Sequence, residues 1–224
     1  MCPYGIGADD CLSFKYFMMH INVIGTSALI LAGLMKIDII ENTPISLRFK
    51  LSGAGFSVAN AIRRAAISRV ASFAIDSVTF YENSSAMFDE YIAHRIGLIP
   101  ISTPAKGYDE KDEILFTLSA EGPTTVYSSD LKSNDKEIKV ANEKIPIMKL
   151  AVGQTLRLDG KAVLRDGNTS PKFQPGLVTY KVLSDKEFEF YIETFGQMPP
   201  TEILAKALSI ISDNVKEIHK EIKK

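Results

Sequence analysis

Three groups of residues in this 224-residue chain could do chemistry. Gly53-Ala-Gly55 stands between a strand pattern and a helix pattern, the outline of a phosphate-binding turn whose amides receive a pyrophosphate at a helix N-terminus. Val58 occupies the place of the third glycine, and Arg48 and Lys50 make the preceding strand wet on one face. The first strand of a dinucleotide fold is buried on both faces, so the motif is discounted. Asp89, Glu90 and His94 fall within two helical turns and could serve as acid–base groups. Such a site needs a pocket and a further partner, and no nucleophile stands nearby. The trio reads as a solvated helix face. Arg63, Arg64 and Arg69 form a basic cluster without the interleaved aromatics of a nucleic-acid platform. Arginine on an alanine-lined helix suits bidentate pairing with carboxylates across a protein interface. No catalytic set and no cofactor-binding set emerges.

Composition narrows the classes further. Hydrophobic residues make up 46% and charged residues 24%, ordinary globular usage, which excludes a disordered chain, a collagen-like fibre and a polytopic membrane protein. The formal charge of −1 offers no global attraction to nucleic acid or anionic lipid. The only cysteines are Cys2 and Cys11, and three histidines are scattered. A disulfide framework and a thiolate metal site are therefore not expected in the body, and the expected metal set is none.

Residues 1–35 read as an N-terminal extension. Tyr16 to Met35 is free of formal charge and matches the roughly 20 residues a bilayer crossing needs. It also has a signal-peptide look, with Lys15 before it and small residues inside it. His20, Asn22, Thr26 and Ser27 dilute it, and no basic segment opens the chain. The reading adopted is a non-spanning extension, disordered or not translated, with Met35 as the alternative start. A membrane association is not expected, and the expected location is cytoplasmic.

The elements that must position any site are legible from Lys36 onward. Ile45–Leu51 alternates apolar and polar residues as a half-wet strand does. Gly53 and Gly55 break it, and Ser57 is placed to cap a helix over Val58–Val70 with Val58, Ile62, Ala65 and Ala66 on one face. A second strand is predicted over Ser77–Asn83. From about Ser84 to Pro175, short apolar runs separated by Gly, Pro, Asn and Asp clusters predict a β-rich module with long loops. Strand chemistry resumes over Val178–Leu183 and Phe188–Ile192. Pro199-Pro200 then opens a last helix, Thr201–Lys223.

That helix has the sharpest periodicity in the chain. Leu204, Leu208, Ile211, Val215, Ile218 and Ile222 step by four and three in turn, widened by Ile203, Ala207 and Ile210. The chain's own sheet is expected to cover the first half. A partner helix is the better explanation for Asn214–Lys224.

Six ordered segments carry a family resemblance: ANAIRRAAISRVASFAIDSV (59–78), DEYIAHRIGLIPI (89–101), VYSSDLKSND (126–135), IPIMKLAVGQTLRL (145–158), KFQPG (172–176) and FYIETFGQMPP (190–200). Together they resemble the D-type subunit of archaeal DNA-directed RNA polymerase, related to the third-largest subunit of eukaryotic polymerase II and to the bacterial alpha amino-terminal domain. The resemblance implies an α+β fold in which a discontinuous dimerisation domain, 36–82 plus 178–224, is interrupted by a β-rich insert domain, 83–177. It implies a non-catalytic scaffold that pairs with a small L-type subunit and docks the large catalytic subunits for transcription. Ile62, Ala66, Leu204, Leu208, Ile211, Val215 and Ile218 would face the small subunit, and Asn60, Arg63 and Arg64 a large one. No nucleic-acid or small-molecule site is implied.

Two departures stand out. Many D-type polymerase proteins insert an iron–sulfur domain between the resumed strands, whereas Tyr180–Phe188 joins them directly here without cysteine, so no cluster is expected. A His-Ala pair usual before the KFQPG-like segment is replaced by Ser170-Pro171, so family contacts of that loop are not carried over. The rival readings are a membrane-tethered body and a free-standing homodimer.

Overall fold

A computed structural model describes residues 35–104 and 107–223; the apolar run ending at Met35, with Cys2 and Cys11, lies almost wholly outside them. The strands are β1 (Lys36–Asn42), β2 (Ser46–Ser52), β3 (Ser72–Asn83), β4 (Glu113–Glu121), β5 (Thr124–Tyr127), β6 (Lys132–Ser133), β7 (Pro146–Leu150), β8 (Thr155–Arg165), β9 (Gly176–Ser184) and β10 (Glu187–Thr194). The helices are α1 (Phe56–Ser68), α2 (Asp89–Gly97) and α3 (Pro200–Ile222). The fold is α+β with antiparallel sheets. Its described residues divide into two compact units, one made of 35–70 with Pro175–Phe195 and 199–223, the other of Ala71–Gln174 with Gly196–Met198.

The first unit is a four-stranded sheet in the order β1-β2-β10-β9, with α1 and α3 packed together on its apolar face. Alternation dictates that face. Leu47, Phe49 and Leu51 of β2 and Phe188, Phe190 and Ile192 of β10 are all at most 3% exposed, while the residues between them point away. Register sets Phe49 opposite Phe190, and their rings stack with centroids 5.0 Å apart. On the wet face the charges pair diagonally, Lys50 with Glu187 at 3.0 Å and Arg48 with Glu189 at 3.6 Å. A two-residue turn, Asp185-Lys186, joins β9 to β10, and the Gly53 amide donates to the Lys186 carbonyl at 2.8 Å.

Ser57 does not cap α1. The helix begins one residue before it, at Phe56, with Gly55 as the cap residue and no side-chain cap bond. The Gly55 carbonyl accepts from the amides of Val58 and Ala59. Phe56 lies in the first turn, half exposed, with its ring edge-to-face against that of Phe188, centroids 5.2 Å apart. Burial on α1 is correspondingly on Ala59, Ile62, Ala65 and Ala66, with Val58 half-buried. β1, which no alternation announces in the sequence, is an edge strand with a bulge between Ile39 and Glu41. Such a bulge interrupts an edge that would otherwise invite further strands.

The second unit holds the sheet β3-β8-β4-β6 and the two-stranded ladder β5-β7. Its core gathers Phe73, Ile75, Phe116, Leu118, Leu156 and Leu158 from strands, with Ile92 and Ile96 from α2. The strand expected over Ser77–Asn83 begins earlier, at Ser72, and pairs along its length with β8. It therefore belongs to this sheet rather than to that of β2, β9 and β10, where the expected domain limits would put it. The cause is the apolar run Phe73-Ala-Ile75, which is buried here and extends the strand backwards.

Phe190→Ala removes half of the central stacked pair and should cost about 3–5 kcal/mol, whereas Arg48→Ala on the wet face should cost about 1 kcal/mol or less. Urea unfolding of the full chain followed by circular dichroism checks both.

Candidate partner-docking surfaces

The first surface is the far half of α3. Pro200 opens the helix in its first turn, where a missing N–H costs nothing, and the Pro199 carbonyl accepts from the amides of Glu202 and Ile203. Ile203, Leu204, Ala207, Leu208 and Ser212 are buried within the chain. Past Ser212 no described residue of the helix is buried: Ile211, just before it, and Val215 are half-covered, Ile218 is 58% exposed and Ile222 74%. A shallow groove there is lined by Asn214, Glu217, Ile218, Glu221 and Ile222. Four apolar residues of one heptad stripe therefore continue into solvent.

The seven residues expected at a small-subunit interface are thus split. Ile62, Ala66, Leu204 and Leu208, none more than 9% exposed, belong to the chain's own packing. Ile211, Val215 and Ile218 lie on the open stripe, which Ile222 extends.

The second surface is the outward flank of α1. Its sequence contains no acidic residue. The Arg63 guanidinium donates to the Asn60 side-chain oxygen from Nη2 at 2.9 Å and from Nε at 3.3 Å. Arg64, the next residue, is exposed. Neither arginine meets a carboxylate among the described residues.

The other chemical candidates dissolve. The Gly53 amide is consumed by Lys186, so the turn is not a phosphate cradle. On α2, Asp89, Glu90 and His94 are exposed, and Asp89 accepts from Asn83 at 2.7 Å. Among the described residues no group of three His, Cys, Asp or Glu is placed to hold a metal. The two-residue β9–β10 turn has neither the length nor the thiolates for an iron–sulfur domain. No described helix is long and apolar enough to cross a membrane.

The distinctive motifs turn out to be architectural. In KFQPG, Lys172 donates to Asp76 at 2.7 Å and to the Ile75 carbonyl at 3.2 Å. Phe173 is fully buried beside Ala74 and Val163, and its carbonyl accepts from Ser72 at 2.7 Å. The glycine, Gly176, has no room for a side chain: a Cβ would lie 2.3 Å from the Glu193 carbonyl oxygen. In DEYIAHRIGLIPI, Arg95 donates to the Pro146 carbonyl at 2.7 Å. In VYSSDLKSND, Asp130 accepts from the Tyr127 amide at 2.8 Å. Ser170-Pro171, the departure from the resembled pattern, opens a short 3-10 turn whose Ser170 carbonyl accepts from the Phe173 amide.

Residues 48–215, spanning both units, match the model of the RNA polymerase Rpb3/Rpb11 dimerisation domain. The chain belongs to this family. Within it the similarity is to archaeal Rpo3, or D-like, members. The DNA-directed RNA polymerase subunit Rpo3 of Methanocaldococcus jannaschii is 47% identical over 169 residues, 75% of this chain and 86% of the relative. That of Thermococcus kodakarensis is 47% identical over 157 residues, covering 67% and 61%, and that of Halobacterium salinarum 40% over 141, covering 63% and 56%. The chain thus spans only about 60% of the latter two relatives. As an Rpb3/Rpb11-type chain it has its exposed stripe on a helix of the dimerisation-domain match, which runs to residue 215.

The Lys172 hydrogen bond, ahead of the Lys172 and Arg165 charges, holds the Asp76 carboxyl below its ordinary range, with burial opposing. Because the folded value is the depressed one, this contribution is present above the ordinary carboxylate range and is lost as pH falls through the folded value. Lys172→Met should raise the Asp76 titration midpoint in a carboxyl NMR titration and flatten this part of the acid-side loss of stability.

Proposed function

We propose that the chain is a non-catalytic assembly subunit of an archaeal-type DNA-directed RNA polymerase. It pairs through α3 with a small, helical L-type subunit and docks the large catalytic subunits, serving transcription in the cytoplasm. It contributes no catalytic group, cofactor or nucleic-acid site of its own. The observation that carries this reading is the open stripe Ile211, Val215, Ile218 and Ile222, which continues a heptad pattern whose first half is already buried. The family match and the names of the relatives support it.

The mechanism is interface chemistry. Covering an exposed isoleucine yields about 1.5–3 kcal/mol, so Ile218 and Ile222 together offer roughly 3–6 kcal/mol. Association alone costs an estimated 4–15 kcal/mol. The stripe is therefore an anchor within a wider interface, and the partner must reach beyond one helix. Half-covered Ile211 and Val215 give the partner an edge that is continuous with the chain's own core.

Ile218→Asp places a charge in the centre of this stripe while leaving the chain's own core intact. Burial of an unpaired carboxylate costs several kcal/mol, so affinity for the small subunit should fall at least about 100-fold. The check is co-expression with an archaeal L-type subunit, followed by mass measurement and a thermal melt of the free chain. The wild type should run as a one-to-one pair and the variant should not, with the melt unchanged. A wild-type homodimer, or a variant that still pairs, overturns the reading.

A further inference from the structure

The two arginines of α1 are adjacent in sequence but differ in state. Arg63 is half-buried and held, and Arg64 is exposed, with no carboxylate beside it among the described residues. A guanidinium has five N–H donors in a rigid plane. Asn60 takes two of them, along the Nε–Nη2 edge, through one oxygen. Three remain, and two of them, one on Nη1 and one on Nη2, form the end-on edge. That edge has the fork geometry that accepts a carboxylate with two parallel bonds.

The pair Asn60 and Arg63 is spaced three apart, so it lies on one flank of the helix. Long side chains in a helix lean toward its N-terminus, which brings Arg63 back over Asn60. The hydrogen bond to a neutral amide removes rotamer freedom from Arg63 without neutralising it. Arg48, Lys50, Lys206 and Lys216 of the same unit sit against a carboxylate of the same chain, whereas Arg63 is held by an amide. The helix that holds Arg63 has no acid at all. Its positive charge is oriented and left uncompensated.

From this we infer that Asn60 is a positioning residue, which fixes Arg63 so that its end-on edge receives a carboxylate from an acidic segment of a docking polypeptide, while Arg64 is an unrestrained second charge. The inference rests on the docking role proposed above. A carboxylate is favoured over a nucleic-acid phosphate because the one aromatic of the helix, Phe56, is engaged with Phe188, no aromatic is interleaved with the arginines, and the chain is slightly acidic overall. Pre-orientation matters because arginine rotamer freedom is otherwise lost on binding.

The test uses the full chain paired with its small subunit and the purified second-largest subunit of Methanocaldococcus jannaschii RNA polymerase as the probe. Binding is titrated for Asn60→Ala, Arg63→Ala, the double variant and Asn60→Asp, each at low and high salt. Asn60→Ala should weaken binding about 3–10-fold and Arg63→Ala about 10–100-fold, and the double variant should be no worse than Arg63→Ala. Asn60→Asp is the discriminating case. An aspartate three residues before an arginine strengthens the helix, so a merely structural Asn60 is rescued by it. A positioning Asn60 is not, because the new carboxylate occupies Arg63 and repels the incoming one. Asn60→Asp should bind at least as poorly as Arg63→Ala, with an unchanged thermal melt.

Wild-type-like binding by Asn60→Asp, or additive losses in the double variant, overturns the inference and leaves the docking role standing. Failure of the wild-type pair to bind the probe overturns the docking role itself. Loss of affinity for a short DNA duplex in Arg63→Ala, with probe binding unchanged, assigns the arginine to phosphate and also overturns it.

Discussion

A helix longer than the surface beneath it governs the first unit. At 23 residues α3 is about 35 Å long at 1.5 Å per residue. Its buried residues stop at Ser212, so the sheet and α1 cover little more than its first half. The apolar spacing does not stop there. A stripe that is core for three turns and solvent-facing for three more cannot be optimised for the isolated chain. In the complex proposed above it would couple the packing of the monomer to that of the assembly, because the same rigid rod carries both halves. Ile211 and Val215 sit at the change-over, partly covered and partly open.

The constraint reaches back into the sheet. For α3 to project past its support, the first half must be held firmly, and the aromatic core supplies this: Phe49 stacked on Phe190, with Phe188 meeting Phe56 and Tyr180 edge-on. Ring contacts of this kind contribute beyond their buried area. The motifs that give the chain its family likeness serve the same end. Phe173 is locked in one unit, while Gly176 permits the close approach of β9 to β10 in the other. They are signatures of chain routing rather than of chemistry, which is why searching them for a nucleophile or a ligand set is unproductive.

Much of this is readable without coordinates. The alternation Leu47, Phe49, Leu51 and the run Phe188-Glu-Phe-Tyr-Ile192 announce half-wet strands, and the charged residues between them pair as alternation requires. The stripe on α3 is plain, but its division into a buried and an open half depends on where the sheet ends, which periodicity does not encode. Leu204 and Ile218 are equivalent in the heptad and opposite in burial. β1 is not legible because an edge strand buries little and its pattern, with Ile39 and Ile40 adjacent and exposed, does not alternate. The allegiance of β3 misleads because neighbouring strands usually share a sheet; here the chain leaves the first unit after Val70 and returns at Pro175. Gly55 takes the cap position in place of Ser57 because the helix begins one residue earlier than the capping signal suggests, at Phe56.

As proposed, the two docking surfaces would divide affinity from orientation. An apolar stripe is non-directional: it rewards any complementary helix in proportion to the area covered. Charged hydrogen bonds are directional and set register. On the wet face of the sheet the opposite charges are spent on one another, Arg48 on Glu189 and Lys50 on Glu187, so that face presents little net field. On α1 no acid is supplied, and the arginines keep their charge available. On the proposed reading the unit would combine an apolar anchor on one helix with a charged, partly pre-oriented reader on the other. An interface that used only the stripe would tolerate slippage by one heptad, since α3 repeats its pattern along its length. The fixed guanidinium of Arg63 has no repeat on α1, so a large subunit docked there, as proposed, would meet one position rather than a repeating set.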